Sequence, residues 1–286
     1  MSLNKSISYW SFPGGLDGTK PVAEAMREAK AAGFEAIEIG FSVTGEVSLE
    51  SSDAQLEQAR RAAQEIGIEI ASLGCALHFQ WPFNSDDPGV RAQAMDIARK
   101  ALAAAHELGT DAVLIVPGAV SVPWDPSIPK VPYDVAYARV TECFGELIPD
   151  AEAAGVTICA ENVWNRLFLS PMEMAAFVDQ FASPWVQAYF DVGNCVYAGY
   201  PEDWIRVLGK RIKRVHIKDF RRDVGTAAGF VDLLSGDVDW PEVVRALNEV
   251  GYDGPVTAEM IPPYRHYPEV LIENTSRAMD AILSGK

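Results

Sequence analysis

No run of about 18 apolar residues occurs in this chain, so nothing in it is long enough to span a bilayer as a helix, and no membrane partner is expected. Its first residues, MSLNKSISYW, lack an apolar core segment of the kind a secretory signal needs. Cysteine is scarce. Cys75, Cys143, Cys159 and Cys195 form no CxxC pair, which argues against a thiol metal clip or a redox couple. Three of them sit in or beside apolar runs, so buried reduced thiols in a cytoplasmic protein are expected. Basic residues are outnumbered, 24 against 40 acidic, for a net charge of -16. A surface of that sign repels phosphodiesters and excludes nucleic acid as a partner. Three catalytic signatures are missing as well. There is no GxxxxGK[ST] loop and no GxSxG elbow, and the first strand runs into SFPGGLDG rather than GxGxxG.

What is present is an ordinary soluble composition, 49% hydrophobic and 22% charged, over 286 residues. That length suits one large α/β barrel or two small domains. Short apolar runs alternate with longer helical patterns along the whole chain. The strand candidates are Ser6–Trp10, Ala36–Ile39, Ile68–Gly74, Ala112–Val116, Val156–Glu161, Val186–Asp191, Ile212–Ile217 and Val256–Glu259. Helices are expected between them at Pro21–Ala32, Ala54–Ile66, Val90–Leu108, Asp134–Ala154, Pro171–Phe181, Pro201–Leu208, Pro241–Val250 and Tyr267–Leu283. Glycines at 33, 67, 109, 155, 209 and 251 stand where helix C-caps belong. Strict alternation of strand and helix implies a parallel sheet, and eight units favour closure into a (β/α)8 TIM barrel over an open doubly wound sheet. No Pro/Ser-rich linker divides the chain, so a single domain over residues 1–286 is expected. The stretches 117–132 and 221–237 read as long loops on the face that carries chemistry.

Four strands in the second half end in a metal-binding residue type. VTICAEN reaches Glu161, VQAYFDVGN reaches Asp191, RIKRVHIKD contains His216, and PVTAEM reaches Glu259. Neighbouring strands lie about 4.8 Å apart, so four adjacent C-terminal ends can surround one ion. Alternation supports this: Glu161 shares its face with Cys159 and Thr157, Asp191 with Tyr189 and Gln187, and Glu259 with Thr257. Three carboxylates meeting at one rim repel each other unless some are protonated or a cation sits among them. Three oxygen donors and one imidazole suit Mn²⁺ first, and also admit Mg²⁺, Co²⁺ or Zn²⁺.

Taken together and in this order, ENVWN, FDVGN, RVHIKDF and TAEM resemble the sugar-phosphate isomerase/epimerase group of xylose-isomerase-like barrels, nearest the ketose 3-epimerases and pentulose-5-phosphate 3-epimerases. The resemblance covers nearly the whole chain. It implies metal ligation by Glu161, Asp191, His216 and Glu259, with Glu161 and Glu259 doubling as the acid/base pair. The family's substrate-binding arginine, six residues past the ligand histidine, falls on Arg222. Two positions depart from the free-ketose epimerases. Asn194 stands where they carry a histidine, and the region 166–168 lacks their second glutamate.

The implied activity is isomerase chemistry on a small sugar or sugar phosphate: proton transfer through a metal-stabilised enediolate. Bases on opposite faces give epimerisation, and one base moving a proton between carbons gives aldose–ketose isomerisation. Two other readings of the same barrel stay open. One is a dehydratase acting on a keto-polyol such as an inosose, and the other is a sugar-binding barrel without catalysis. A DNA-repair endonuclease of the related group needs many histidine ligands, and this chain has four histidines in all.

Further pocket candidates follow from position. Lys218 lies two residues beyond His216 and should point into the lumen toward an anionic substrate, or pair with a nearby acid. Glu38 ends the second strand, where it either lines the pocket or accepts a hydrogen bond from behind a ligand. His78, in LHFQWPF, is a candidate substrate wall with Trp81, Phe83 and Trp10, as are Asn194, Trp124 and Trp164. Aromatic faces suit the apolar C–H faces of sugars. The basic run 210–214 opens the seventh strand, at the opposite end of the barrel, and is expected to be structural. His106 and His266 are also expected to be structural. Whether the chain self-associates is left open.

Overall fold

The structure, a computed structural model, describes residues 3–125 and 128–285. In chain order its elements are β1 (Asn4–Ser8), α1 (Val22–Ala31), β2 (Ala36–Gly40), α2 (Asp53–Ile66), β3 (Glu69–Cys75), α3 (Pro88–Leu108), β4 (Ala112–Ile115), α4 (Tyr133–Ala154), β5 (Thr157–Glu161) and α5 (Pro171–Asp179). Then follow β6 (Val186–Asp191), α6 (Val192–Val196), α7 (Pro201–Leu208), β7 (Ile212–Ile217), β8 (Asp219–Phe220), β9 (Phe230–Val231), α8 (Trp240–Val250), β10 (Pro255–Ala258) and α9 (Pro268–Ser284). Strands β1 to β7 and β10 close into a parallel barrel in the order β1-β10-β7-β6-β5-β4-β3-β2. The expected (β/α)8 architecture is therefore the observed one. Among the described residues, no helix is long and apolar enough to cross a membrane.

The local causes are legible. Ser170 caps α5 by accepting from Glu173 N, with Pro171 in the first turn, and Asp239 caps α8 by accepting from Glu242 N. Gly155 ends α4 in the left-handed conformation (φ 66) and turns the chain directly into β5. Gly209 differs from the expected C-cap: its φ of 54 comes with ψ of -128, and a 3-10 turn over Gly209–Arg211 leads into β7 instead. Between barrel and helices lies a continuous core that includes the fully buried Phe34, Phe144, Phe177 and Phe190. Each such side chain stabilises the fold by roughly 1.5–3 kcal/mol relative to exposure.

Two features of the top face were not expected from sequence. After β6 the chain makes a short helix, α6, capped by the Asp191 side chain accepting from Asn194 N. After β7 the long loop folds back as a two-stranded antiparallel ribbon, β8 with β9. Buried Asp219 ties that loop down, accepting from the backbone N–H groups of Phe220, Leu234 and Val238 and from the Trp240 indole. The first strand lies two residues earlier than expected, at Asn4–Ser8, because Tyr9–Ser11 turns into a 3-10 helix.

Candidate metal centre

Register brings the four candidate metal ligands to one rim. Glu161 at the end of β5 stands opposite Tyr189, two positions below Asp191 on β6. Asp191 stands opposite His216 on β7. His216 stands opposite Thr257 on β10, two positions below Glu259. Climbing in this way around the tilted barrel, one donor atom from each of the four residues falls within 4.8 Å of every other. All four side chains are buried. His216 Nδ1 lies 3.5 Å from Glu161 Oε1, 3.8 Å from Glu259 Oε1 and 3.9 Å from Asp191 Oδ2.

The ring of His216 is held from behind. Its Nε2–H donates to Glu38 Oε1 at 2.9 Å. Glu38 in turn accepts from Tyr189 Oη at 2.7 Å and Ser72 Oγ at 2.9 Å. A carboxylate behind an imidazole fixes the tautomer and aims the other nitrogen's lone pair outward, the arrangement that supports metal-ligating histidines. Glu38 therefore backs the cluster and does not line the pocket. Burial raises its carboxyl pKa, but the neighbouring His216 charge and these hydrogen bonds together bring it below the ordinary range.

Inside the cluster, charge is out of balance. Burial pushes Glu161 up to about 7, with the Glu259 charge adding to the effect. Asp191 is raised by the same two causes. Burial works against a charged His216, yet the surrounding Glu38 and Glu259 carboxylates raise it well above its usual value. Lys218 sits over the site, 3.1 Å from Asp191 Oδ2 and in contact with Glu259 Oε2, and those carboxylates raise its pKa despite burial.

Even so, Asp191 Oδ2 and His216 Nδ1 remain buried without a well-formed hydrogen bond. His216 Nδ1 makes no hydrogen bond and Asp191 Oδ2 has only the Lys218 ammonium, so the cluster buries polar atoms whose bonding capacity the chain leaves unused, at a cost in stability. A divalent cation fits this donor set in charge, hardness and number.

The rim is braced by a residue that the sequence did not single out. Asn162 donates from its side-chain amide to Asp191 O at 2.8 Å and accepts from Asp191 N at 2.7 Å. Asn194 then donates to Asn162 O at 2.9 Å, and Trp164 donates to Asn194 O at 2.9 Å. The reciprocal amide pair locks the end of β5 to the end of β6. Its signal lay in the polar residue directly after Glu161. The close approach also requires glycine at 193, where a Cβ would lie 2.3 Å from Lys218 Cγ and 2.6 Å from Lys218 O.

A cavity of about 500 Å³ opens above the cluster, and Glu161, Glu259 and Lys218 line its floor. Trp10, Trp124, Trp164, Phe230 and Asn194 contribute to its walls. Two candidates fall elsewhere. His78 is buried in the core, stacked 4.2 Å from the Phe83 ring, with Nε2 3.2 Å from Ala94 O, and burial lowers its pKa to about 4. It is a packing residue rather than a substrate wall, because Phe83, in the same loop, turns inward with it. Arg222 does not line the cavity either. Its guanidinium lies 4.5 Å from the Tyr200 ring centroid, and Asp237 fixes its backbone N–H. At the opposite rim Arg211, Lys213 and Arg214 of the basic run form ion pairs with Asp179 and Asp111, a structural role as expected. His106 bonds to Ala154 O.

With that geometry in place, comparison with known proteins is informative. A family model described as a xylose isomerase-like TIM barrel matches residues 26–281. An L-ribulose-5-phosphate 3-epimerase of Shigella flexneri is 27% identical over 271 residues, covering 90% of this chain and 88% of the relative. Another, from Escherichia coli strain SE11, matches to the same extent. Among solved structures, a D-psicose 3-epimerase from Clostridium cellulolyticum H10 with D-tagatose superimposes with a TM-score of 0.80 at 20% identity, covering 97% of both chains. An L-ribulose 3-epimerase superimposes with a TM-score of 0.79 at 17% identity, covering 99% of this chain and 95% of that one. These relatives and neighbours are named as epimerases, hence isomerases; the likeness to the solved structures is one of fold.

Proposed function

Since the chain belongs to the xylose isomerase-like TIM-barrel family, we propose that it is a divalent-metal-dependent epimerase or isomerase of a small ketose or ketose phosphate. The observation that carries this reading is the closed set of four buried donors, two of whose atoms make no well-formed hydrogen bond, beneath an open cavity. Glu161, Asp191, His216 and Glu259 would hold the ion, with Mn²⁺ the first choice. When bound, it supplies Lewis acidity that stabilises negative charge on the substrate oxygens.

The chain's own residues account for the remaining steps. Glu161 and Glu259 reach the cavity floor from different strands, so one carboxylate can take a carbon-bound proton while the other returns one from the opposite face. Their surroundings differ, as an acid/base pair requires. Glu161 is pushed up toward neutral pH by burial, whereas Glu259 touches the Lys218 ammonium. Lys218 is placed to hold a substrate oxygen as well, since it lines the cavity. Trp10, Trp124 and Trp164 offer apolar faces to a sugar's C–H groups and exclude water from the proton-transfer path. Four buried free thiols fit a reducing cytoplasm.

The test is incubation with ketoses and ketose phosphates in D₂O, comparing Mn²⁺-loaded with chelated protein. Deuterium at C2, C3 or C4, appearing with the metal in a product that has lost no water, is the expected result. Turnover without deuterium would exclude two-base epimerisation through an enediolate, and product lighter by one water would identify a dehydratase.

A further inference from the structure

Beside the cavity over the metal cluster lies a second cleft of about 620 Å³. Trp124, Val163, Trp164, Asn194 and Ala227 line both, so the two share one wall. The far side of the cleft is formed by the rings of Phe168, Tyr197 and Trp204, with Leu169 at its edge. Several of these side chains are uncovered: Trp124 is 51% exposed, Tyr197 57% and Leu169 64%. Large apolar groups gathered around a depression mark a place where an apolar ligand face is received. A five-carbon sugar reacting at Glu161 and Glu259 would sit over the carboxylates and leave this cleft empty.

The charges point the same way. Among the described residues lining the reactive cavity, Lys218 is the one cation, and Asp191 and Glu259 already claim it. Glu161, Asp232 and Glu259 line the same wall. Arg222 is turned away onto Tyr200. A phosphate dianion carried by the reacting sugar would therefore meet carboxylates and apolar surface, and an unpaired buried charge costs several kcal/mol. Arg166 is the cation that lines the cleft; it is exposed and stands on a left-handed backbone (φ 58).

We propose that the substrate is an uncharged keto-sugar bearing a ring substituent with an apolar face, with the keto-sugar over the four-residue cluster and the ring seated in the cleft against Trp124, Phe168 and Tyr197. This rests on the proton-transfer reading above and names its substrate class. The shared chemistry is a ring with an apolar face, which stacks on aromatic side chains. Two sources can supply it: an aryl aglycone, or a second glycosyl ring with its C–H face.

The experiment titrates the full-length Mn²⁺-loaded protein with glucose, phenyl β-D-glucopyranoside, cellobiose, xylulose and xylulose 5-phosphate. Calorimetry gives affinity, and tryptophan fluorescence reports on the cleft. At least one of the two ring-bearing ligands should bind ten times more tightly than glucose, and the tighter of them identifies the source. Xylulose 5-phosphate should bind no more tightly than xylulose. Ala198→Trp, at an exposed position lining the cleft, should reduce the tenfold preference to less than twofold. Ring-bearing ligands that bind no better than glucose would overturn the proposal. So would a tenfold gain from the phosphate, above all one abolished by Arg166→Ala. The D₂O measurement keeps the two readings apart. Ring-dependent binding without deuterium in any ketose leaves the cleft standing and removes the reaction. Deuterium exchange with phosphate-dependent affinity does the reverse.

Discussion

The two rims of the barrel use similar residues to opposite ends. At the lower rim, Asp111 takes Lys213 at 2.6 Å and pairs with Arg214, whose Nε donates to Ala71 O at 2.8 Å. Arg211 grips Asp179 through two bonds of 2.6 Å. Each of these carboxylates has a base to match it. At the upper rim, three buried carboxylates face one lysine and one imidazole, and two polar atoms of the cluster make no well-formed hydrogen bond. The lower rim is finished by the chain alone, whereas the upper one is arranged for something the chain does not itself contain. Surplus charge held in place against burial, more than the presence of charge, is what separates a reactive site from a structural one.

The largest break in this comparison should come from Glu161→Gln. Removing a carboxylate proposed as both proton carrier and ligand is expected to cut kcat by roughly 10³-fold, with the far-UV circular dichroism spectrum unchanged. Glu38→Gln keeps the four ligands but weakens the support behind His216. Mn²⁺ affinity should fall roughly 10- to 100-fold, read by calorimetry, and a loss of less than twofold would mean that Glu38 does not orient the ring.

Acidity sharpens the contrast next. Glu161, at about 7, must lose its proton to accept a cation. Mn²⁺ affinity should therefore drop about tenfold for each pH unit below that value. The stability of the chelated protein should run the other way. Its folded carboxyl binds a proton more tightly than the unfolded one, whose ordinary value is 4.5. Stability is thus lost as pH rises between those two values. Thermal unfolding at pH 5 and 7 should show that slope, and Glu161→Gln should flatten it.

The smallest effect belongs to the lower rim. Asp111→Asn is expected to cost about 1 kcal/mol by denaturant titration, since the pairs are partly exposed and screened, while kcat stays within twofold.

Much of the site was legible because barrel geometry turns sequence order into position. Strand ends converge and residues alternate in facing, so Glu161, Asp191, His216 and Glu259 could be placed together before any coordinates. Lys218 followed from the same parity. His78 did not, because nothing in LHFQWPF says which ring turns inward; a 3-10 turn over Leu77–Phe79 decides it. Arg222 was placed by family likeness alone, and a local contact with Tyr200 prevails over that likeness here. Asn162, Ser72 and Tyr189 act through bonds to residues far away in sequence, which no local pattern reports.

By itself, the amino-acid order determined the alternation of strands and helices, the closed parallel barrel and the meeting of four side chains able to hold a metal. All of these follow from periodicity, caps and strand parity, which are local or nearly so. Tertiary structure alone decided that Glu38 stands behind His216 instead of in the pocket, that Lys218 is spent on two carboxylates, and that an aromatic cleft opens beside the cavity. Those outcomes depend on which long-range partner reaches each polar atom first, and such competition is settled only when the whole barrel has closed.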